Sequence, residues 1–250
     1  MSGSENELTR ERFDAVLFDL DGVLTDTARL HAAAWKRMFD AYLAERAERT
    51  GEPFRPFDIG ADYVAYVDGK PRFDGVRDFL EGRGIELPDG AADDPPSRET
   101  VCGLGNRKNQ LVNETMASEG VEAYPGSVAL VRELRAQGMK TAVVTSSGNC
   151  DAVLAAAGIA DLFDTRVDGN DLGELGLAGK PAPDAFLEAA RRLGADAKRA
   201  VVVEDALSGV QAGRAGGFGL VIGVARKDNA QALAENGADV VVDDLAEFLS

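Results

Sequence analysis

Two aspartates stand two positions apart directly after a short apolar segment near the start of the chain. Asp19 and Asp21 follow Ala15–Phe18 and precede Gly22. The segment predicts a buried strand, and open α/β sheets bind their ligands at the carboxyl ends of such strands. Crowded carboxylates repel each other unless a cation such as Mg²⁺ or a shared proton relieves them. The alternative interpretation is a simple Asp-Gly turn.

A second acid pair and a constrained lysine occur later in the chain. Glu204 and Asp205 directly follow the apolar segment Ala200–Val203. A second pair of acids at a strand end is hard to explain as solvated surface, so we interpret both as metal ligands. Lys180 lies between a glycine and the first of two prolines, which stiffen the approach to a helix. Its ammonium could offset the repulsion between carboxylates and a phosphate, although most single lysines are surface residues.

Hydroxyl and amide side chains follow a third apolar segment, 142–144. Thr145, Ser146, Ser147 and Asn149 stand where a strand ends and a helix begins. Backbone amides, hydroxyls and a helix N-terminus together bind anions. Plain N-capping by Ser147 or Asn149 is the alternative, and the two roles are compatible.

The composition limits the classes of partner. The chain has 250 residues, 45% of them hydrophobic, and a formal net charge of −16. This charge repels nucleic acid backbones and anionic lipids, so we expect neither nucleic acid nor membrane as a partner. Two cysteines are too few for a disulfide framework, residues 1–12 do not resemble a signal peptide, and no run of about 18 apolar residues occurs. We therefore expect a cytoplasmic protein.

The order of the patterns predicts an α/β fold, a doubly wound parallel-sheet Rossmann-like core with an inserted helical cap domain. We assign residues 1–27 and 123–250 to the core and 28–122 to the cap. The cap pattern contains an amphipathic helix at 28–49 and helix-like stretches at 75–82 and 97–118. Within it, the glycines of 103–106 lack a preceding strand, so we reject a dinucleotide loop. Further core strands are predicted at 140–144, 200–203, 220–224 and 240–242, and core helices at 127–137, 151–157, 183–193 and 207–215.

Taken in order, these motifs resemble the four motifs of the haloacid dehalogenase superfamily, and the helical insertion resembles the cap of its β-phosphoglucomutase-like branch. The resemblance implies that Asp19 is the nucleophile and Asp21 the general acid/base. It implies that Thr145 is a phosphate ligand and Lys180 the charge anchor. It also implies that Mg²⁺ is held by Asp19, the backbone carbonyl of Asp21, and Asp205 with Glu204 beside it.

The cap and the loop at 145–149 contain further similarities to the mutases of this branch. Arg72, in the segment 69–76, resembles their arginine for the distal phosphate, and Lys108 resembles their lysine near the sugar phosphate. His31 resembles their hinge-helix histidine. The resemblance adds Trp35, Ser146, Ser147 and Asn149 to the expected substrate contacts. A packing histidine and solvated cap charges are the alternatives.

The resemblance implies an enzyme that interconverts β-D-glucose 1-phosphate and glucose 6-phosphate through a bisphosphate, acting as a monomer on a small sugar phosphate. A sugar-phosphate phosphatase of the same superfamily is the nearest alternative, and a non-catalytic module and a dehalogenase are more distant ones. Two departures from the mutase pattern, Gly148 and Ala206, concern the choice of sugar and not the phosphoryl transfer.

Overall fold

The computed structural model describes residues 7–226 and 228–249. The chain divides into two compact units. One comprises the chain up to Asp26 and from Val121 onwards, and the other comprises Thr27–Gly120. We call them the core unit and the cap unit.

The described part of the core unit contains the strands β1 (Ala15–Phe18), β2 (Lys140–Val144), β3 (Thr165–Val167), β4 (Ala200–Glu204), β5 (Leu220–Val224) and β6 (Val240–Val242). They form one parallel sheet in the order β3-β2-β1-β4-β5-β6. This arrangement confirms the predicted parallel α/β core. All four residues of β1 are buried because the strand lies in the middle of the sheet, between β2 and β4.

The cap unit is helical throughout its regular structure. It contains α1 (Ala28–Thr50), α2 (Arg72–Gly82) and α3 (Val101–Glu119), and a π-helical turn at Tyr63–Val67. An aromatic cluster holds these elements together. The ring centroid of Phe39 lies 5.3 Å from that of Trp35, 5.2 Å from that of Phe57 and 4.0 Å from that of Phe79. Burial of such large rings supplies the apolar area that a small helical unit needs.

The sequence patterns missed one strand and two helices of the core unit. β3 has only three residues at the edge of the sheet, and two of them, including Arg166, are half-buried, so no apolar run marks it. The missed helices, α6 (Gly169–Leu175) and α9 (Ala230–Glu235), have seven and six residues. A capping box formed by Asp168 and Asp171 is the local signal for α6. The core helices are α4 (Pro125–Ala136), α5 (Cys150–Ala156), α6 (Gly169–Leu175), α7 (Asp184–Leu193), α8 (Leu207–Ala215) and α9 (Ala230–Glu235).

The register of the central strands positions the candidate site. Phe18, the last residue of β1, is aligned with Val143 of β2 and Val203 of β4. The backbone N–H of Asp19 donates to the carbonyl of Val203 at 2.9 Å. The chain therefore leaves the sheet at Asp19, next to the points where both neighbouring strands end. No helix in the described part of the chain has the length and apolar character needed to cross a bilayer.

Candidate active site

A buried lysine joins carboxylates that follow β1 and end β4. Lys180 Nζ lies 2.5 Å from Asp19 Oδ1 and 2.5 Å from Glu204 Oε1, and it donates to the carbonyl of Val144 at 3.3 Å. These contacts use all three donors of the ammonium. Burial disfavours its charge, but attraction to Asp19 and Glu204 outweighs burial and raises the pKa of Lys180. The ammonium therefore stays charged.

The carboxylate of Glu204 is held from both sides. One oxygen accepts from Lys180, and the other accepts from the backbone N–H groups of Asp205 at 3.1 Å and Ala206 at 3.2 Å. A buried carboxylate requires such donors, since an unpaired one would lose its hydration without compensation. Glu204 therefore acts as a fixed counter-charge for Lys180.

Asp19 lies in an environment that disfavours its charge. Its exposed fraction is 6%. Burial raises the pKa of Asp19, Lys180 acts in the opposite direction, and the carboxylates of Glu204 and Asp21 raise it further. A bound cation would relieve the excess of negative charge and keep Asp19 ionised.

Three buried carboxylates form a group that could hold a metal ion. Asp19, Glu204 and Asp205 each offer an oxygen, and these atoms lie within 4.8 Å of one another. With Lys180, the group has a formal charge of −2, and its oxygen donors fit a hard divalent cation such as Mg²⁺. Gly22 (φ +92°) lies against it, since an added Cβ would be 2.1 Å from Asp205 Oδ2. Only a glycine permits that approach in that conformation.

Asp21 and the loop after β2 share the same edge of the sheet. Thr145 Oγ1 lies 3.4 Å from Asp21 Oδ2, and the hydroxyl of Thr145 accepts the backbone N–H of Ser147 at 3.1 Å. Ser147 Oγ in turn accepts the backbone N–H of Asn149 at 3.2 Å. These bonds fix a tight loop that presents hydroxyls, as an anion-binding loop requires. Ser146 belongs to the same loop and is half-buried.

Residues that the sequence patterns did not identify support this edge. Arg226 Nε donates to the carbonyl of Gly22 at 2.9 Å, and its guanidinium lies 3.8 Å from the ring centroid of Tyr124. Asn229 Nδ2 donates to the carbonyl of Asp205 at 3.2 Å. Both residues follow β5, so their position just after a predicted strand was the available signal.

The contacts of the loop after β2 also explain why position 148 is a glycine. Asn170 Nδ2 donates to its carbonyl at 3.0 Å, and an added Cβ at Gly148 would lie 2.9 Å from Asn170 Oδ1. A larger residue at this position would therefore displace Asn170, which belongs to α6.

In the cap unit, the predicted residue Lys108 contacts both His31 and Trp35, which were predicted with it. Lys108 Nζ lies 2.8 Å from His31 Nδ1 and 4.9 Å from the ring centroid of Trp35. Because an ammonium only donates, Nδ1 accepts, and the neutral imidazole has its proton on Nε2. Trp35 is 2% exposed and stacks on Phe39, so its ring supports Lys108 from within the cap core.

Arg72 lies at the start of α2 in the cap unit. Its guanidinium is 4.5 Å from the ring centroid of Phe73, and it donates to Asn106 Oδ1. Burial lowers the pKa of Arg72. Among the described residues, no carboxylate lies within ion-pairing distance of it.

Comparisons with known proteins agree with this geometry. Residues 13–217 match the model of the haloacid dehalogenase-like hydrolase family. A protein of Mycobacterium bovis named β-phosphoglucomutase is 57% identical over 242 residues, which cover 96% of this chain and 92% of that protein.

Two solved structures extend the comparison. A Clostridium difficile structure described as β-phosphoglucomutase has a TM-score of 0.74 at 23% identity, covering 95% of this chain and 93% of that one, and thus shares the fold. A Deinococcus radiodurans structure, described as a HAD family hydrolase with bound phosphate and sodium, has a TM-score of 0.63 at 31% identity, covering 94% and 93%. The predicted superfamily is confirmed: the chain is an enzyme of the haloacid dehalogenase-like hydrolase family.

Proposed function

We propose that this enzyme is a β-phosphoglucomutase that interconverts β-D-glucose 1-phosphate and glucose 6-phosphate through an aspartyl phosphate on Asp19. The observation that carries the proposal is the buried Asp19–Lys180–Glu204 arrangement in a chain 57% identical to a protein of that name. The phosphate bound in the Deinococcus radiodurans structure agrees with a site for phosphoryl groups.

The donor set fits Mg²⁺, which Asp19, the backbone carbonyl of Asp21, and Asp205 would hold with Glu204 beside them. When bound, the cation would neutralise the phosphoryl group and lower the repulsion between that group and a carboxylate.

In the first transfer, Asp19 attacks one phosphorus atom of the sugar bisphosphate, and a sugar monophosphate departs. Oδ1 accepts from Lys180, so we assign the attack to Oδ2. A bond forms between this oxygen and phosphorus while the bond from phosphorus to the sugar oxygen breaks. Asp21 donates its proton to the departing sugar oxygen. Thr145, Ser146, Ser147 and Asn149 would bind the phosphoryl oxygens through hydroxyl and amide groups.

In the second transfer, Asp21 withdraws a proton from a hydroxyl of the sugar, and that hydroxyl attacks the aspartyl phosphate. The bond between phosphorus and Asp19 breaks, which regenerates the free carboxylate. Transfer to the other hydroxyl of a sugar monophosphate gives a bisphosphate, which must turn round before the next transfer. Water in place of the hydroxyl would give net hydrolysis, so the acceptor decides between mutase and phosphatase.

A bisphosphate has two anionic groups, and the group remote from Asp19 needs cations of its own. We assign this role to Arg72 and Lys108 of the cap unit, with His31 as the hydrogen-bond partner of Lys108. Arginine suits phosphate because its planar fork makes two parallel hydrogen bonds. Trp35 would act through Lys108, since its own ring is buried.

We also propose that the enzyme is a cytoplasmic monomer. Cys102 and Cys150 are both free and buried, as expected for a protein of a reducing compartment.

The test is phosphorus NMR of the purified protein with Mg²⁺, β-D-glucose 1-phosphate and a trace of glucose 1,6-bisphosphate. We expect glucose 6-phosphate to accumulate with little inorganic phosphate. Prompt release of inorganic phosphate would contradict the mutase assignment and indicate a phosphatase. The Asp19→Asn variant under the same conditions controls for contaminating activities.

A further inference from the structure

We propose that Asn106 is a positioning residue that holds the guanidinium of Arg72 in a fixed orientation without neutralising its charge. The proposal rests on the proposed function, since it concerns how the cap unit would present Arg72 to a substrate phosphate. Asn106 lies on α3, six residues after the N-cap of that helix, Thr100, and Arg72 is the first residue of α2.

The contacts determine which way the Asn106 amide points. Its Oδ1 accepts from Arg72 Nε and from a terminal nitrogen of Arg72, both at 3.3 Å. Its Nδ2 donates to the carbonyls of Ala92 at 3.0 Å and Asp94 at 2.9 Å. A flipped amide would face its donors toward the guanidinium and its oxygen toward two carbonyls, which is repulsive on both sides. All four contacts therefore require the same orientation.

The loop that anchors Asn106 is itself held firmly to the start of α3. Asp94 is 4% exposed and accepts from the hydroxyl of Thr100 at 2.7 Å and from Arg98 at 2.8 Å. Thr100 Oγ1 accepts the backbone N–H of Gly103 at 2.9 Å and so caps the helix. Because these polar groups satisfy one another, the carbonyls of the loop have little freedom to move away from Asn106.

A glycine brings the two helices together at this point. An added Cβ at Gly105 would lie 2.7 Å from Cδ1 of Phe73 and 3.6 Å from Cγ of Arg72. The absence of a side chain at Gly105 lets the start of α2 pack against α3. This packing explains the glycine that the sequence motif at 103–106 left without a role.

The neutral partner of Arg72 is unusual in this chain. Most arginines of the described residues pair with a carboxylate, as Arg77 does with Asp74 and Arg83 does with Asp62. Arg72 is half-buried and has an amide and an aromatic ring as its neighbours instead. A carboxylate at position 106 would cancel the charge that a phosphate needs, whereas an amide orients the guanidinium and leaves its charge available.

The first test is a double-mutant cycle on the full chain with Arg72→Ala, Asn106→Ala and the double variant. The readouts are the KM for glucose 1,6-bisphosphate, and the hydrolysis of p-nitrophenyl phosphate, which has no second phosphate. We expect Asn106→Ala to raise the bisphosphate KM about tenfold, as for one charge-assisted hydrogen bond. Hydrolysis of p-nitrophenyl phosphate by Asn106→Ala should change by less than about twofold. In the Arg72→Ala background, Asn106→Ala should cause no further rise in the bisphosphate KM.

Two further variants sharpen this test. Asn106→Asp keeps an acceptor for Arg72 but adds a charge, so we expect its bisphosphate KM to exceed that of Asn106→Ala. Gln110→Ala removes an exposed amide from the same helix and serves as the matched control, with no change expected. An Asn106→Asp variant with the wild-type KM would overturn the requirement for a neutral partner.

The second test does not depend on activity. The Nε–Hε signal of Arg72 in ¹⁵N NMR spectra, assigned by its loss in Arg72→Lys, should be distinct in the wild type and averaged in Asn106→Ala. An unchanged signal, or full additivity in the cycle, would overturn the proposal. A bisphosphate KM that Arg72→Ala leaves unchanged would contradict the role of Arg72 in the proposed function, and the NMR signal would still decide whether Asn106 positions it.

Discussion

The backbone of Gly209 lies directly against the carboxylate of Glu204. An added Cβ at this glycine would be 1.9 Å from Cδ of Glu204 and 2.0 Å from its Oε1, the oxygen that accepts from Lys180. Gly209 lies in α8. Because it has no side chain, this helix leaves room for the Glu204 carboxylate, the counter-charge of Lys180. One glycine thus links the packing of α8 to the electrostatics of the candidate site.

We expect Gly209→Ala to displace Glu204 and disturb the Lys180 contact. Overpacking of this kind costs about 1–3 kcal/mol of unfolding free energy, and misplacement of catalytic groups lowers kcat about 10²-fold. Chemical denaturation and steady-state kinetics would measure both effects. Gly173→Ala is the matched control, because Gly173 also lies in a helix but has nothing within 4 Å of an added Cβ. Equal effects in the two variants would contradict the prediction.

Asp19→Asn should abolish turnover and leave the fold intact. The amide keeps an oxygen that can accept from Lys180 but cannot form the phosphoenzyme, so we expect a loss of about 10⁴-fold or more in kcat. Mass spectrometry of protein incubated with glucose 1,6-bisphosphate should detect a phosphate adduct on the wild type and none on the variant. An adduct that persists in Asp19→Asn would place the nucleophile elsewhere.

Removal of Mg²⁺ should lower the stability of the wild type. A ligand that binds only the native state stabilises it by about 2.7 kcal/mol at a concentration 100-fold above its Kd. We expect this increment, measured as a difference in thermal unfolding between Mg²⁺ and EDTA, to be lost in Asp205→Asn. The exposed Glu174 provides the control, and Glu174→Gln should keep the full increment. An increment that survives in Asp205→Asn would contradict the proposed ligand set.

Lys180→Met should destabilise the protein most strongly when no cation is present. The change leaves the buried carboxylates of Asp19 and Glu204 without their shared partner, and breaking a buried ion pair costs about 3–5 kcal/mol. Mg²⁺ should recover part of this loss because it supplies positive charge to the same acids. Denaturation in EDTA and in Mg²⁺ would measure it, with the exposed Lys198→Met as control. If Lys180→Met lowers the unfolding free energy no more than Lys198→Met does, Lys180 does not stabilise the fold by pairing with these acids.

Glu188 should account for part of the loss of stability of the core unit at low pH. Hydrogen bonds from Arg191 and Arg192 lower the pKa of Glu188 from 4.5 to about 2. The native state therefore binds fewer protons there than the unfolded state, and the stabilisation is fully present above about pH 4.5 and lost as the pH falls toward about 2.

We expect the difference in unfolding free energy between the wild type and Glu188→Gln to be about 1 kcal/mol at pH 7 and to shrink between pH 4.5 and pH 3. Urea denaturation across this range measures it. A difference that stays constant with pH would mean that the carboxylate charge is not responsible.

The strongest sequence signals concerned the central strands and the acids that follow them. Ala15–Phe18 and Ala200–Val203 are continuous apolar segments because a central parallel strand is buried on both faces. Their positions, and the acids that follow them, could therefore be predicted. β3 could not be predicted, since a three-residue edge strand with half-buried residues buries too little apolar area to require a pattern. The short helices α6 and α9 were missed for the same reason.

The residue types and their order along the chain by themselves determined the superfamily, the parallel core with its helical insertion, and the acids, hydroxyls and lysine expected to act on a phosphate. Only the tertiary structure decided how these groups pair. It showed that Lys180 contacts both Asp19 and Glu204, that Trp35 faces the cap core beneath Lys108, and that a neutral amide, Asn106, holds Arg72. The physical reason is the separation along the chain of the residues that interact. Burial and local conformation leave periodic patterns in neighbouring residues. These hydrogen bonds and ion pairs join residues far apart in the chain, and they leave no such pattern in the sequence.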